Sequence, residues 1–388
     1  MNEKHAIGWC LWLGLSAVSP MTWAVDPNPI KLSDAVLFSP TLKVSERYDD
    51  NFRATDESVK SSWITRIEPT FNLGAEGRKT AYNLSYRAAS DFFHSSPDDN
   101  NTDHYLAARG AVEFDARKRL RLNAGYEHVE QTDSDNPLGL NDIYTKKVIG
   151  GVFTYGARTA STQLETGLDY QQLRYLNGAG INDDKERNTT TLRTTGYYRI
   201  APRTRALLEY RHLHYDYIYN DPRSNDTDAL LVGLTWDASA RLSGTVKVGR
   251  EKKRFEQAGL QDKSSQRVEA SLKYKPRTYS TISFGARQAL DEGDEGPAST
   301  IESKGYDLGW EHRWRERLTT DLRYSHSERV YQDYYRDDTL NSLSLGVTWS
   351  ARRWLDVGAS YRRAVNDSTT QSESYKRNIL QFSVESSF

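Results

Sequence analysis

The chain has 388 residues, a formal net charge of -1 and 27% charged residues, a balance that gives no electrostatic pull toward nucleic acid or an anionic surface. After residue 24 it holds no apolar run of the roughly 18 residues that a spanning helix needs. That excludes a helical membrane protein but not a β-barrel, in which only every second residue of a strand faces lipid.

The first element is a leader. Lys4 opens a basic start, Ala6 to Val18 form a short apolar run, and Thr22-Trp23-Ala24 supplies a small-x-small cleavage site. Together they predict a secretory signal peptide over 1–24, with Val25 opening the mature chain. The single cysteine, Cys10, lies in that leader, so no disulfide or cysteine metal site is expected in the mature protein. Residues 25–36 read as a short periplasmic N-terminal segment and 37–388 as one outer-membrane β-barrel.

From there a hairpin repeats. Short turns carrying Arg78, Arg117, Arg158, Arg203, Arg241, Arg277, Arg315 and Arg352 recur at spacings of 39, 41, 45, 38, 36, 38 and 37 residues. Each interval holds two alternating strands and one longer polar loop. Leu120, Leu122, Ala124 and Tyr126 share one side of such a strand, and Arg121, Asn123 and Glu127 the other. Leu343, Leu345, Val347 and Trp349 oppose Ser344, Gly346 and Thr348 in the same way. Eight tight turns, with both chain ends on their side, require nine loops opposite and hence about 18 strands. The 24 Tyr and 9 Trp suit aromatic girdles at the two membrane interfaces. The fold expected is all-β: a transmembrane up-and-down antiparallel barrel. Its last strand runs NILQFSVESSF, with Leu380, Phe382, Val384 and Phe388 on one parity. It resembles the signal that outer-membrane barrels present to the barrel-assembly machinery through a terminal Phe.

An 18-stranded barrel leaves an aqueous channel, so the default function is a pore. Parity places Arg66, Glu68, Arg87, Arg109, Glu113, Arg121, Glu127, Glu165 and Asp169 inward. It does the same for Arg193, Arg199, Glu209, Arg211, Arg267, Glu269 and Lys273. Asp307, Glu311, Asp321, Arg323, Asp356 and Arg362 complete the candidate pore lining. Mixed signs argue against strong charge selectivity. The longest loop, Asp49 to Ser61, is too short to fold inward comfortably, so the lumen is expected to be open or gated by a partner. An open polar tube suits a flexible hydrophilic polymer.

Catalysis is not expected. His212 and His214 share a strand face near Asp216, a spacing that suits a metal or a catalytic pair, but their parity matches Leu208 and Tyr210 and sends them outward. In Ser325, His326 and Glu328 the neighbouring Ser and His point to opposite faces of the strand, so no local triad forms. The acidic run Asp291 to Gly296 lacks the ligand period of a calcium loop and reads as solvated. Asp49, Asp50 and Asn51 after Tyr48 suit Asx turn bonding better than a sugar contact. No cofactor and no metal is expected.

The opening strand, LKVSERYDDNFR, with the serial hairpins and the C-terminal Phe, resembles the beta-barrel porin family whose members lie in exopolysaccharide biosynthesis operons. The resemblance covers essentially the whole mature chain. It implies a passive conduit in the bacterial outer membrane, among lipid and lipopolysaccharide. It also implies exopolysaccharide export, biofilm secretion and a periplasmic polysaccharide-export protein as partner. The alternative is a general or oligosaccharide-uptake porin. Nucleic acid is not an expected partner.

Overall fold

A computed structural model of the chain describes residues 29–132, 141–176, 180–239, 241–256, 260–293 and 299–388; the leader lies outside them. The first strands are β1 (Ile30–Ser33), β2 (Val36–Asp49), β3 (Ser62–Glu76), β4 (Thr80–Phe93), β5 (Asn101–Glu113) and β6 (Lys118–Gln131). Next come β7 (Asp142–Tyr155), β8 (Thr162–Tyr175), β9 (Arg187–Ala201), β10 (Thr204–Tyr217), β11 (Asn225–Ser239), β12 (Leu242–Phe255) and β13 (Lys263–Arg277). The last are β14 (Ser280–Glu292), β15 (Thr300–Arg315), β16 (Leu318–Gln332), β17 (Asp337–Arg352), β18 (Leu355–Ser368) and β19 (Tyr375–Ser387).

From β2 onward each strand pairs antiparallel with the next. The last, β19, returns to β2 from Ile379↔Asp49 to Ser387↔Thr41, closing an 18-stranded barrel. Closure is what makes such a sheet viable, because no edge is left unpaired. The Arg-bearing turns are the short connections at one end, called here the turn end; the longer loops gather at the other, the loop end. In the turn after β5, Asp115 Oδ1 accepts the Arg117 and Lys118 backbone N–H groups at 2.7 and 2.9 Å. The Arg117 bond leads the causes that hold the Asp115 carboxyl below its ordinary pKa.

The strand alternation of the sequence is carried through the whole ladder. Leu84, Leu122, Ile149, Leu168, Leu230 and Leu345 stand on the outward face, each more than two-fifths exposed. Charged and polar side chains occupy the other face. Arg211 of β10 meets Glu269 of β13 at 2.9 Å, over two intervening strands. Side chains that meet so far apart in the ladder stand on a concave surface, so the polar face is the lumen. Shifts of register occur where β9–β10, β11–β12, β13–β14, β15–β16 and β17–β18 meet their turns. Confined there, they leave the parity of the strand bodies intact.

The barrel begins one residue earlier than the sequence boundary, and the segment before it is not featureless. β1 pairs with β2 through Ile30↔Phe38 and Lys31↔Leu37. β2 outruns β19 at the turn end, since the last seam pair is Ser387↔Thr41. β1 covers the strand edge that this stagger leaves open.

Candidate functional site: the lumen and its loop-end constriction

Cross-strand partners share a face, and the register links Asp49↔Ser62, Arg66↔Asp91, Asn83↔Arg109 and Arg109↔Asn123 around the ring. Continued through Arg193↔Arg211, Glu269↔Arg287 and Ser344↔Arg362, it places all 22 parity-derived candidates on the inner face.

Several of them meet. Asp91 receives Arg66 Nε at 2.6 Å and Arg47 at 3.1 Å, and Arg87 lies 3.4 Å from Glu68 and 4.0 Å over the Tyr105 ring. Arg121 lies 3.6 Å from Glu165, and Lys146 lies 3.5 Å from Glu127. On β10–β13, Arg211 reaches Glu269 at 2.9 Å and also Glu209; Arg267 reaches Glu251 at 2.6 Å and Glu269 at 2.9 Å. Lys247 lies 3.2 Å from Glu209 and also pairs with Glu269, so three cations answer three carboxylates. Arg362 donates to Ser342 at 3.1 Å. Arg109, Arg193, Lys273, Glu311 and Arg323 form no ion pair among the described residues. Asp169, Asp307 and Asp321 lie flat over Gly150, Gly285 and Gly346, where a Cβ would come within 1.9, 2.1 and 2.5 Å of a carboxylate oxygen. Only glycine leaves room for these side chains against the wall. The sequence reading passed over Arg47, Asp91, Lys247, Glu251 and Lys253, although the same parity points to them.

At the loop end, side-chain clusters stand on the inner wall on two sides. In the first loop Phe52 turns inward and packs with Ile64 and Phe93, inner-face residues of β3 and β4; the three are 1%, 0% and 3% exposed. The Phe52 and Phe93 rings are 5.0 Å apart. Arg53 pairs with Asp99 at 2.5 Å, and Gln371 donates to Asp56, tying this loop to two others. This corrects the expectation that no loop folds into the lumen. Length was the wrong criterion, because one apolar side chain on a short turn is enough to draw the loop in.

On the wall nine strands away, Lys253 of β12 is 0% exposed and lies 2.5 Å from Glu292. Glu292 also accepts Tyr217 at 2.8 Å and Asn225 at 3.3 Å. Arg223, from the loop after β10, donates to the Gly293 carbonyl and stands 4.8 Å over the Tyr217 ring. In an 18-stranded ring, nine strands is half the circumference, so the two masses face each other across the mouth.

The Tyr-Asp-Asp-Asn stretch closes the barrel. Asp49, fully buried, takes Arg377 of β19 through Nε at 3.1 Å and Nη2 at 2.7 Å. Asp50 accepts the Asn378 backbone N–H at 2.6 Å and its Nδ2 at 2.7 Å. Asn51 donates to the Lys376 carbonyl at 3.0 Å and the Thr55 carbonyl at 2.7 Å, and its N–H bonds Asp49 Oδ1 at 3.2 Å. Asx bonding is present, as the residue types suggested, and it is joined to a clasp across the seam.

His212 and His214 stand on the outward face with Asp226 and Asp228. Ser325 faces the lumen, while His326 faces outward and contacts Asn341 at 2.9 Å, so the three residues form no triad. Of the acidic run, Asp291 and Glu292 belong to β14; residues 294–296 lie outside the described chain.

Residues 36–388 match the sequence model of the family described as putative beta-barrel porin 2. No curated protein matches the chain. Among solved structures, OccK1 (OpdK) of Pseudomonas aeruginosa is similar, with a TM-score of 0.50 and 13% identity over 90% of this chain and 99% of that one. OccK2 (OpdF) of the same organism, solved in complex with glucuronate, has a TM-score of 0.51 and 11% identity over 90% of this chain and 98% of that one. At such identity the likeness is one of fold.

Proposed function

The chain belongs to the putative beta-barrel porin 2 family, and from that membership we propose that it is a passive outer-membrane pore for the uptake of small hydrophilic solutes, sugars among them. What supports this reading is the loop-end mouth, where Phe52 packs on one wall and Lys253, Glu292 and Tyr217 bond on the other, taking up space that an open tube would leave. Such a mouth favours short solutes over a polymer. The OccK2 barrel, solved with glucuronate, lends support from a channel of like fold.

Transport needs no catalytic step. A hydrated path spares a polar solute the cost of several kcal/mol per unpaired polar group on entering hydrocarbon. Paired charges on the wall exchange hydrogen bonds with the solute as it passes, and its concentration gradient sets the direction. Near-balanced signs, as in the Arg211, Lys247, Arg267, Glu209, Glu251 and Glu269 group, impose little charge selectivity.

The second reading, a conduit for exopolysaccharide served by a periplasmic export protein, rests on the resemblance of LKVSERYDDNFR. A deletion strain separates the two. Uptake of a hexose or short oligosaccharide at limiting concentration should fall several-fold, with exopolysaccharide in the medium unchanged. Polymer lost from the medium and retained in the periplasm, with uptake intact, would replace this reading by export.

A further inference from the structure

The geometry points to a divalent-cation site of the zinc class on the outward rim of the loop end, built by His214, Asp226 and Glu256 with His212 beside them. His214 Nδ1 lies 3.0 Å from Asp226 Oδ1 and 3.7 Å from Glu256 Oε1, and the three ligand atoms all lie within 4.8 Å of one another. A tetrahedral zinc ion with bonds of about 2.0–2.2 Å holds its ligand atoms roughly 3.3–3.6 Å apart, so a small inward adjustment seats it. His212 Nε2 lies 3.6 Å from the same Asp226 oxygen, outside that set of three, and would have to turn toward the ion to become a fourth donor. Its other nitrogen, Nδ1, is held by Asp228 at 2.9 Å. A carboxylate on the far nitrogen is what orients a ligating imidazole and fixes its tautomer. Asp228 is itself anchored by the Tyr210 hydroxyl at 2.6 Å and by Arg254.

Charge supports the assignment. Asp226, Asp228 and Glu256 bring three negative charges to the site, Asp216 stands two residues beyond His214 and is bonded by Asn188, and Arg254 offsets Asp228. Lys252 lies opposite Asp228 in the ladder but is occupied by Asp262 at 3.0 Å. Asp226 and Glu256, which form no ion pair with Lys or Arg among the described residues, match the charge of one divalent ion. Mixed imidazole and carboxylate donors suit zinc, whereas calcium and magnesium take oxygen alone. His214 and Asp226 are part-exposed and Glu256 is exposed, so an ion has access and water can complete its shell. Nothing in this site depends on what crosses the lumen, which it does not face.

Titration of the refolded full-length barrel in detergent micelles with ZnCl2, read by calorimetry, should give one saturable site per chain. His214→Ala and Glu256→Gln should each weaken it at least tenfold, and Asp228→Asn should weaken it within the 10–100-fold range of outer-shell substitutions. His326→Ala, on another strand, should leave it unchanged. Zinc-edge absorption of the wild-type complex should show imidazole scattering with oxygen neighbours, a readout that requires no variant to fold. No saturable binding, binding indifferent to His214 and Glu256, or a spectrum without imidazole overturns the assignment.

Discussion

Asp49→Ala should loosen the seam that makes the sheet a barrel, lowering stability by about 3–5 kcal/mol, the usual cost of breaking a buried ion pair from one side. Asp49 has no solvent exposure and takes two bonds from Arg377, whose side chain is 17% exposed. Removing the carboxylate takes from Arg377 its bonds to β2 at the point where that strand meets β19. Arg377→Ala should cost a comparable amount by leaving the buried Asp49 carboxylate with the Asn51 N–H but no cation bonded to it. The double variant should cost clearly less than the two singles together, because neither charge is then uncompensated. Urea unfolding in detergent, followed by the gel shift between folded and heated barrel, measures all three. Single variants that unfold at the wild-type urea concentration would show that Asp50–Asn378 and Asn51–Lys376 close the seam unaided.

The second large effect concerns the mouth. Phe52→Ala removes a fully buried ring whose partners, Ile64 and Phe93, belong to the inner wall. Truncating a buried Phe costs about 3–5 kcal/mol, and each 1.4 kcal/mol is a factor of about ten in an equilibrium. The first loop then keeps its polar ties, at Asp50 and Asn51 to β19, at Arg53 to Asp99 and at Asp56 to Gln371, but loses its apolar anchor on the inner wall. Released, it should leave the lumen, so single-channel conductance should rise and become noisier while the barrel stays folded in the gel-shift assay. Conductance equal to wild type in a folded Phe52→Ala barrel would remove this loop from the constriction.

The architecture was written in period and punctuation. Leu120 through Glu127 alternates for a physical reason, since one side meets hydrocarbon and the other water. Arg117 and Arg158 mark turns because a tight connection at a membrane surface tolerates charge. Parity then carried through the strand bodies because the register shifts lie at the turns, and it fails at the loop end of β14, where Glu292 turns inward off its parity. What the sequence left unreadable depends on which side chains meet across the lumen. Phe52 looks like any residue of a polar loop until β3 and β4 bring Ile64 and Phe93 beneath it. Lys253 and Glu292 are far apart in the chain and gain their contact only from ring closure. The clasp of Asp49 and Arg377 joins the two ends of the barrel, a pairing that no local pattern encodes. Substrate is less legible still. Family membership reaches the porin class, and the choice between solute and polymer turns on the width of a mouth set by those nonlocal contacts.

The most direct test of a narrow, passive pore is conductance of the refolded protein in a planar bilayer, with swelling of proteoliposomes in sugars of increasing length. Stepwise ohmic currents are expected, with permeation fast for hexoses and falling steeply as the oligosaccharide lengthens. A barrel that inserts but passes no current, or that admits long polymers as readily as hexoses, would contradict the account.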